Sequence, residues 1–449
     1  MREGIVFDQS HLLPRPLRKV HLLCVTEMSA KQHALTLQGR ALSRLRFDQR
    51  LVQHVGAGIA AASQNSWLRA QWSQYLADVF QGKADGLLWL RSDVLVDDYF
   101  LVERLAEAWT CQEAVEIRDA SGGLVLWALS RQGLKKWVEA GRQDSSKNGN
   151  AGDQQHAFVA PPVIGVFGEA DLVQAREAGV RSGVWPLSVS LAGQPQQADA
   201  SLRLTHPVSA PVPWPLPRKV PPLLLVSASR EPPQSFMTET ALGRSVTRLK
   251  AQGVDVRLMA TCDNKASLAS VYNRALTKDY LGYIIVFVHD DVWIDDVFLA
   301  EHLHEALLRH DVVGVAGSRN RIPLQAAWPF PKKTGEWDRR DNLLGAVAHE
   351  VAGKNVADQV TSYGAARGSA RLMDGVLFAV RGSVAIPAGL RFDELFPFHF
   401  YDLDFCRSAE QRGLRLGVWP LAITHLSGGN FSGLDWHAAW ASYASKWNE

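Results

Sequence analysis

Two segments of this chain are near copies of each other, and that repeat constrains the fold more than any other feature. Residues 93–105 read DVLVDDYFLVERL and residues 291–303 read DVWIDDVFLAEHL, with eight of thirteen positions identical at an offset of 198. About one match would arise by chance, so the repeat marks a duplication. Three weaker echoes keep the same order: Arg18-Lys19-Val20 with Arg218-Lys219-Val220, the apolar run 124–129 with 376–380, and GVWPL at both 183–187 and 417–421. Two copies of one domain are expected in tandem, over residues 18–191 and 218–449, and 449 residues allow each to bury its own core. Between them, 192–217 is rich in Pro, Ala, Gln and Ser and reads as an extended, semi-rigid linker. The polar stretch 144–155 reads as a surface loop of the first copy. Residues 317–371 read as a long insertion of the second, of the kind that serves as a lid or binding loop.

Hydrophobic residues make up 47% and charged residues 21%, which excludes wholesale disorder. Lys+Arg 48 against Asp+Glu 46 leaves a net charge of +2 with no basic run, which argues against a nucleic-acid partner. The cysteines Cys24, Cys111, Cys262 and Cys406 form no CxxC pair; they read as thiols of a reducing compartment, and a cytoplasmic location is expected. No apolar stretch has the length of a signal peptide or a transmembrane segment, so neither secretion nor membrane insertion is expected. Near the C-terminus, Trp436, Trp440, Tyr443 and Trp447 recur at spacings of four, three and four, one face of a helix. Packing of that face on the body of the protein, on the first domain, is expected in preference to a peripheral membrane contact, because Lys446 is its only lysine.

Within the second copy, strands are expected at 223–226, 254–259, 283–288 and 414–419, and helices at 236–251, 268–276, 295–308 and 405–412. The alternation predicts an α/β fold of two tandem doubly wound, Rossmann-like domains with mostly parallel sheets. Ligands of such sheets bind at the carboxyl ends of the strands, where the polar motifs of this chain fall.

His289-Asp290-Asp291 follows the strand at 283–288 directly. On an extended exit alternate side chains share a face, which puts His289 and Asp291 on one side and Asp290 on the other. A carboxylate there suits Mg²⁺ or Mn²⁺ against a diphosphate, since hard cations take oxygen ligands. A strand-end turn also explains two adjacent Asp. Farther on come Met373-Asp374-Gly375, then Tyr401-Asp402-Leu403-Asp404, then His425. Asp402 falls at a helix start, where the dipole and free N–H groups favour an ionised carboxylate able to take a proton. His425 reads either as a metal or diphosphate ligand or as a structural histidine.

In order, and over residues 220–430, the segments Ser227 to Glu231, Ala269 to Asn273, Val288 to Val292, Asp374-Gly375, Tyr401 to Asp404 and Thr424-His425 resemble the family-2 glycosyltransferases with the GT-A fold. The resemblance implies a metal-dependent, inverting transfer of sugar from a nucleotide-diphosphate donor to a glycan or glycoconjugate acceptor, as in polysaccharide biosynthesis. It implies Asp291, His425 and His289 as ligands of Mn²⁺ or Mg²⁺. It implies Ser227, Arg230, Glu231, Asn273, Asp290, Asp374 and Gly375 at the nucleotide sugar. Asp402 corresponds to the base that deprotonates the acceptor hydroxyl. The family's usual Glu-Asp pair reads Tyr401-Asp402 here, so Asp404 stays open as the base.

In the first copy Asp93 matches Asp291, but Arg91 and Ser92 stand for His289 and Asp290, Glu169 for Asp402, and Leu191 for His425. A guanidinium repels a divalent ion, so this copy is expected to be non-catalytic. Trp328 and Trp337 in the insertion are acceptor-site candidates, and Arg367 and Arg371 read as phosphate ligands or as solvated charges. Three other functions stay open. One is a bifunctional transferase, and another a non-catalytic carbohydrate-binding scaffold. The third is a sugar-nucleotide nucleotidyltransferase, against which the missing Gly-rich phosphate loop after 223–226 argues.

Overall fold

The computed structural model describes residues 20–26, 53–54, 78, 81–90, 94–96, 98–119, 121–147, 169–183, 189–191, 210–211, 220–331, 335–349, 359–427 and 433–449. No helix among them is long and apolar enough to cross a membrane. The chain forms two compact units, residues 1–202 with 208–213 and residues 203–207 with 214–449. Of the expected linker, only Ala210–Pro211 is described, a short strand paired with Val189–Leu191 within the first unit. Arg91, Ser92, Asp93, the first GVWPL beyond Gly183, and 148–155 of the expected polar loop also lie outside the described residues.

In the second unit the apolar runs become buried strands, as unbroken runs do when both faces of a sheet are covered. Seven strands lie in the order Val256–Thr261, Leu223–Ala228, Ile284–Val288, Leu377–Arg381, Val312–Gly314, Leu416–Val418, Gly368–Ser369. The first three are parallel, but Leu377–Arg381 runs antiparallel to both of its neighbours. The sheet is mixed, which corrects the expectation of a mostly parallel one. The chain reaches Leu377 from a smaller sheet beyond the carboxyl end of Ile284–Val288, where Leu377 pairs with Val288, so it can only run back along that strand. The helix Leu299–Arg309 instead leads to Val312–Gly314, and the described elements between that strand and Leu377 are all strands.

The smaller sheet has the order Val292–Ile294, Ile423–His425, Leu343–His349, Ala316–Ser318, Leu372–Met373, with Gln359–Ser362 added on Leu343–His349. Part of the expected loop insertion is thus sheet. The helix expected at 236–251 is two, Pro233–Glu239 and Ala241–Ala251, because Thr240 leaves helical geometry and its hydroxyl caps the second by accepting from the Gly243 amide at 2.9 Å. Trp419 of the second GVWPL is core. The C-terminal helix Leu434–Lys446 presents Trp436 and Tyr443 to Phe400, ring centroids 5.3 Å apart in each case. Arg407 lies 4.2 Å over Trp447. This face therefore packs on the body of the second unit, on Phe400 and Arg407.

In the first unit six strands lie in the order Gln53–His54, Val20–Thr26, Gly86–Leu90, Leu124–Ser130, Ala114–Arg118, Ser182–Gly183. Leu124–Ser130 is antiparallel to both neighbours and the other pairs are parallel. Position for position, the order and senses equal those of the first six strands in the large sheet of the second unit. Alternate residues of Gly86–Leu90 serve opposite faces: Leu88 and Leu90 pack with Leu101 and Leu105, whereas Leu87 and Trp89 pack with Trp127 and Trp137.

Candidate active site

The strands Leu223–Ala228 and Ile284–Val288 lie side by side and end together, so the polar residues that follow them meet. Asp290 turns toward the first of these strand ends and accepts the Ser229 hydroxyl at 2.5 Å. His289 and Asp291 face the other way, as the two-residue period requires. Val292 pairs with His425 across the smaller sheet, and the Asp291 carbonyl accepts the Leu426 amide at 3.0 Å. That register brings His425 Nε2 to 3.3 Å from the Asp291 carboxylate. His289, Asp291 and His425 offer ligand atoms within 4.8 Å of one another, and the two imidazole rings lie 5.6 Å apart.

A hydrogen-bonded relay orients His289. The Tyr401 hydroxyl donates to the Gly375 carbonyl at 2.9 Å, so its oxygen is left to accept from His289 Nε2–H, also at 2.9 Å. His289 Nδ1 then carries the lone pair, the usual way an outer hydrogen bond prepares a histidine ligand. Burial, and next the charge of His425, lower the His289 pKa and favour the neutral ring. For Asp291 burial opposes ionisation, but the His425 and Ser427 hydrogen bonds and the nearby imidazoles outweigh it and hold the carboxyl below its usual range. Gly375 is required by close approach: a Cβ there would stand 2.3 Å from the Tyr401 hydroxyl and 2.8 Å from the Asp402 Cβ.

Asp402 occupies the first turn of the helix Tyr401–Gln411, accepting the Leu403 amide at 2.9 Å and the Gly375 amide at 3.3 Å. Its carboxyl is nevertheless pushed up to about 7, by burial first and by the Asp374 charge second, against the pull of the backbone amides. This corrects the expectation that the helix terminus alone keeps it ionised. Asp374 is held by the Trp328 indole N–H at 2.8 Å and the Val376 amide at 2.9 Å. Asp404 lies elsewhere. Two residues on, its carboxylate is fully buried against the C-terminal helix, accepting from Lys446 at 2.6 Å and Trp447 at 2.9 Å. Asp402, not Asp404, bonds the Gly375 amide, and the Gly375 carbonyl accepts the Tyr401 hydroxyl that also bonds His289.

Of the remaining expected residues, Ser227 is fully buried and its hydroxyl has no hydrogen-bond partner. Arg230 and Glu231 are exposed just beyond it. Asn273 grips the backbone of Phe392 through both ends of its amide, at 2.9 Å each, which makes it a pin for the segment leading to Tyr401. Arg371 joins Arg321 on Glu410, and Arg367 lies 4.8 Å over Trp419. Sequence reasoning missed Ser229, Tyr401 and His349. Ser229 and Tyr401 stood inside quoted motifs, but their partners are distant in the chain. His349 pairs in register with His425, their rings 6.0 Å apart, and no local pattern marks it.

Residues 242–440 match the model of a family described as a glycosyltransferase-like family. No curated protein matches the sequence. Among solved structures, GalNAc-T7 with UDP, GalNAc and Mn²⁺ is similar at 9% identity over 50% of this chain and 48% of that one, with a TM-score of 0.32. The chain thus spans about half the length of that neighbour. A197 from STIV aligns at 11% identity over 41% of this chain and 97% of its own, with a TM-score of 0.26. A glycosyltransferase involved in glycosylation of the major capsid of PBCV-1 aligns at 14% identity over 30% and 70%, with a TM-score of 0.19.

Proposed function

We propose that this chain, whose residues 242–440 match a glycosyltransferase-like family, is a metal-dependent inverting transferase that moves a sugar from a nucleotide diphosphate to a glycan or glycoconjugate. The observation that carries the reading is the gathering of ligand atoms of His289, Asp291 and His425 within 4.8 Å at the strand ends, with Asp402 on the amide of Gly375, whose carbonyl accepts the Tyr401 hydroxyl that also bonds His289. Two imidazoles and one carboxylate fit Mn²⁺, a hard cation that still accepts imidazole, better than Mg²⁺, which keeps to oxygen. When bound, such an ion supplies Lewis-acid neutralisation of the diphosphate leaving group. Asp402 takes the proton of the acceptor hydroxyl, whose oxygen bonds to the anomeric carbon as the bond to the diphosphate breaks. A carboxyl titrating near 7 suits this role, because it is partly ionised at neutral pH yet basic enough to accept the proton. Asp290, fixed by Ser229, serves the sugar nucleotide from the other face of the strand exit.

The first unit is read as a duplicated, non-catalytic copy. Support comes from the eight identities in thirteen residues and from the matching strand order. Val94 pairs with Leu191 as Val292 pairs with His425, and a leucine offers no ligand atom. The cytoplasmic placement rests on the cysteine usage.

Calorimetric titration with a panel of nucleotide sugars tests the reading. One of them should bind in Mn²⁺ and weaken strongly in EDTA, and Asp291→Asn should imitate the chelator. Unchanged affinity in EDTA would overturn the metal-dependent mechanism.

A further inference from the structure

A chain of aromatic rings leads from the site to the surface. Trp328 is buried and donates its indole N–H to Asp374. Tyr363 meets Trp328 edge-on, centroids 4.9 Å apart and planes at 86°. On Tyr363 lies Trp337, nearly parallel at 22° with centroids 5.6 Å apart, and Phe330 meets Trp337 at 5.2 Å and 77°. Trp337 is still 56% exposed, the only tryptophan among the exposed large apolar side chains of the described residues. A lone exposed apolar residue needs no explanation. An indole fixed by two neighbouring rings, and tied through them to a carboxylate of the site, is a formed surface.

Its chemistry suits a sugar ring. A pyranose has an apolar C–H face and a polar rim. The indole offers a flat apolar face, and Asp338, Arg339, Arg340 and Asp341 follow it directly in the chain. Ser229 and Asp290 stand at the ends of Leu223–Ala228 and Ile284–Val288. Trp337 is reached instead through Asp374, beside the smaller sheet, and Asp374 acts on the carboxyl of Asp402.

We propose that Trp337 is the stacking platform for a pyranose ring of the acceptor, so that the acceptor is itself a carbohydrate. This rests on the reading of Asp402 as the acceptor's base.

The test uses the full chain and two sets of probes. An array of defined oligosaccharides with gluco, galacto, manno and N-acetylglucosamine ends is exposed to wild type, Trp337→Ala and Trp337→Tyr, and hits are measured by calorimetry. A panel of nucleotide sugars in Mn²⁺ is titrated into the same three proteins. Wild type should bind at least one oligosaccharide, Trp337→Ala should bind it about tenfold more weakly, and Trp337→Tyr should retain most of the affinity. Nucleotide-sugar affinity should be the same in all three. Oligosaccharide binding unchanged in Trp337→Ala, or absent from wild type, would overturn the platform. So would loss of nucleotide-sugar affinity in Trp337→Ala, which would make the indole a nucleoside contact. Oligosaccharide binding that depends on Trp337, with no nucleotide sugar bound by wild type, would keep Trp337 as a sugar-binding residue but overturn the transferase reading and with it the acceptor role.

Discussion

Both units pair a short strand after the third strand of their sheet with a second short strand, and only one pairing carries ligand atoms. In the second unit Val292 lies opposite His425; in the first, Val94 lies opposite Leu191. A buried pair a few residues on behaves differently. Asp296 accepts the Phe298 amide at 3.0 Å and bonds His302 at 2.6 Å, while Asp98 accepts the Phe100 amide at 2.9 Å and bonds Arg104 at 3.0 Å. The helix-starting aspartate persists and its nitrogen partner changes from imidazole to guanidinium. A buried carboxylate that loses its partner keeps its full desolvation cost, so the fold constrains that pair in each unit. Ligands at a strand end carry no such weight in folding, and there the units differ.

The largest effect expected from this contrast is at the base. Asp402→Asn should lower turnover by roughly two to four orders of magnitude while donor affinity survives in calorimetry, whereas Glu169→Gln in the first unit should leave turnover unchanged. Turnover at low substrate should rise with pH through about 7 and level off above it, in a stopped-time assay across pH 5.5–8.5. The same raised pKa lowers stability. The folded site holds its proton over roughly pH 4 to 7 while the unfolded chain would release it, so stability falls across that window and stays reduced above it. Asp402→Asn should therefore raise the melting temperature at pH 8 and leave it unchanged at pH 4. A variant that loses activity and stability together at pH 8 would contradict the assignment.

Next in size is the metal site. Asp291→Ala should cost at least about a hundredfold in turnover, as expected for a Lewis acid worth several kcal/mol, while Asp93→Ala should stay within a few-fold. Titration should give one nucleotide sugar per chain. Two bound per chain, or equal losses in both variants, would make the units functionally alike.

The smallest effect tests the shared scaffold. Arg104→Met and His302→Phe should each destabilise by about 1–3 kcal/mol in urea unfolding, and Arg104→Met should leave donor affinity intact. A silent Arg104→Met would show that the buried pair is not what the two folds have in common.

Much of the site was legible before any coordinates. His289 and Asp291 share a face and Asp290 takes the other, because the strand's period of two runs through the exit. Asp404 could not be separated from Asp402 by pattern, since both fall in the first turn of one helix. What separates them is Lys446 and Trp447, more than forty residues downstream, which draw Asp404 into the core. The antiparallel sense of Leu377–Arg381 is not legible in the sequence, because strand polarity depends on where the preceding segment pairs, and 317–371 reads as loop although part of it builds sheet.

The sequence by itself determined which segments become buried strands and where the polar motifs follow them. An unbroken apolar run must be covered on both faces, and charged side chains can only emerge where the strand leaves the core. Tertiary structure alone decided the sense of the central strand, which aspartate meets the site, the pKa of Asp402 near 7 and the ring nitrogen that His289 leaves without a proton. Those properties depend on desolvation and on hydrogen-bond partners from distant parts of the chain, and neither exists until Asp374, Gly375 and Tyr401 have been brought against the end of Ile284–Val288.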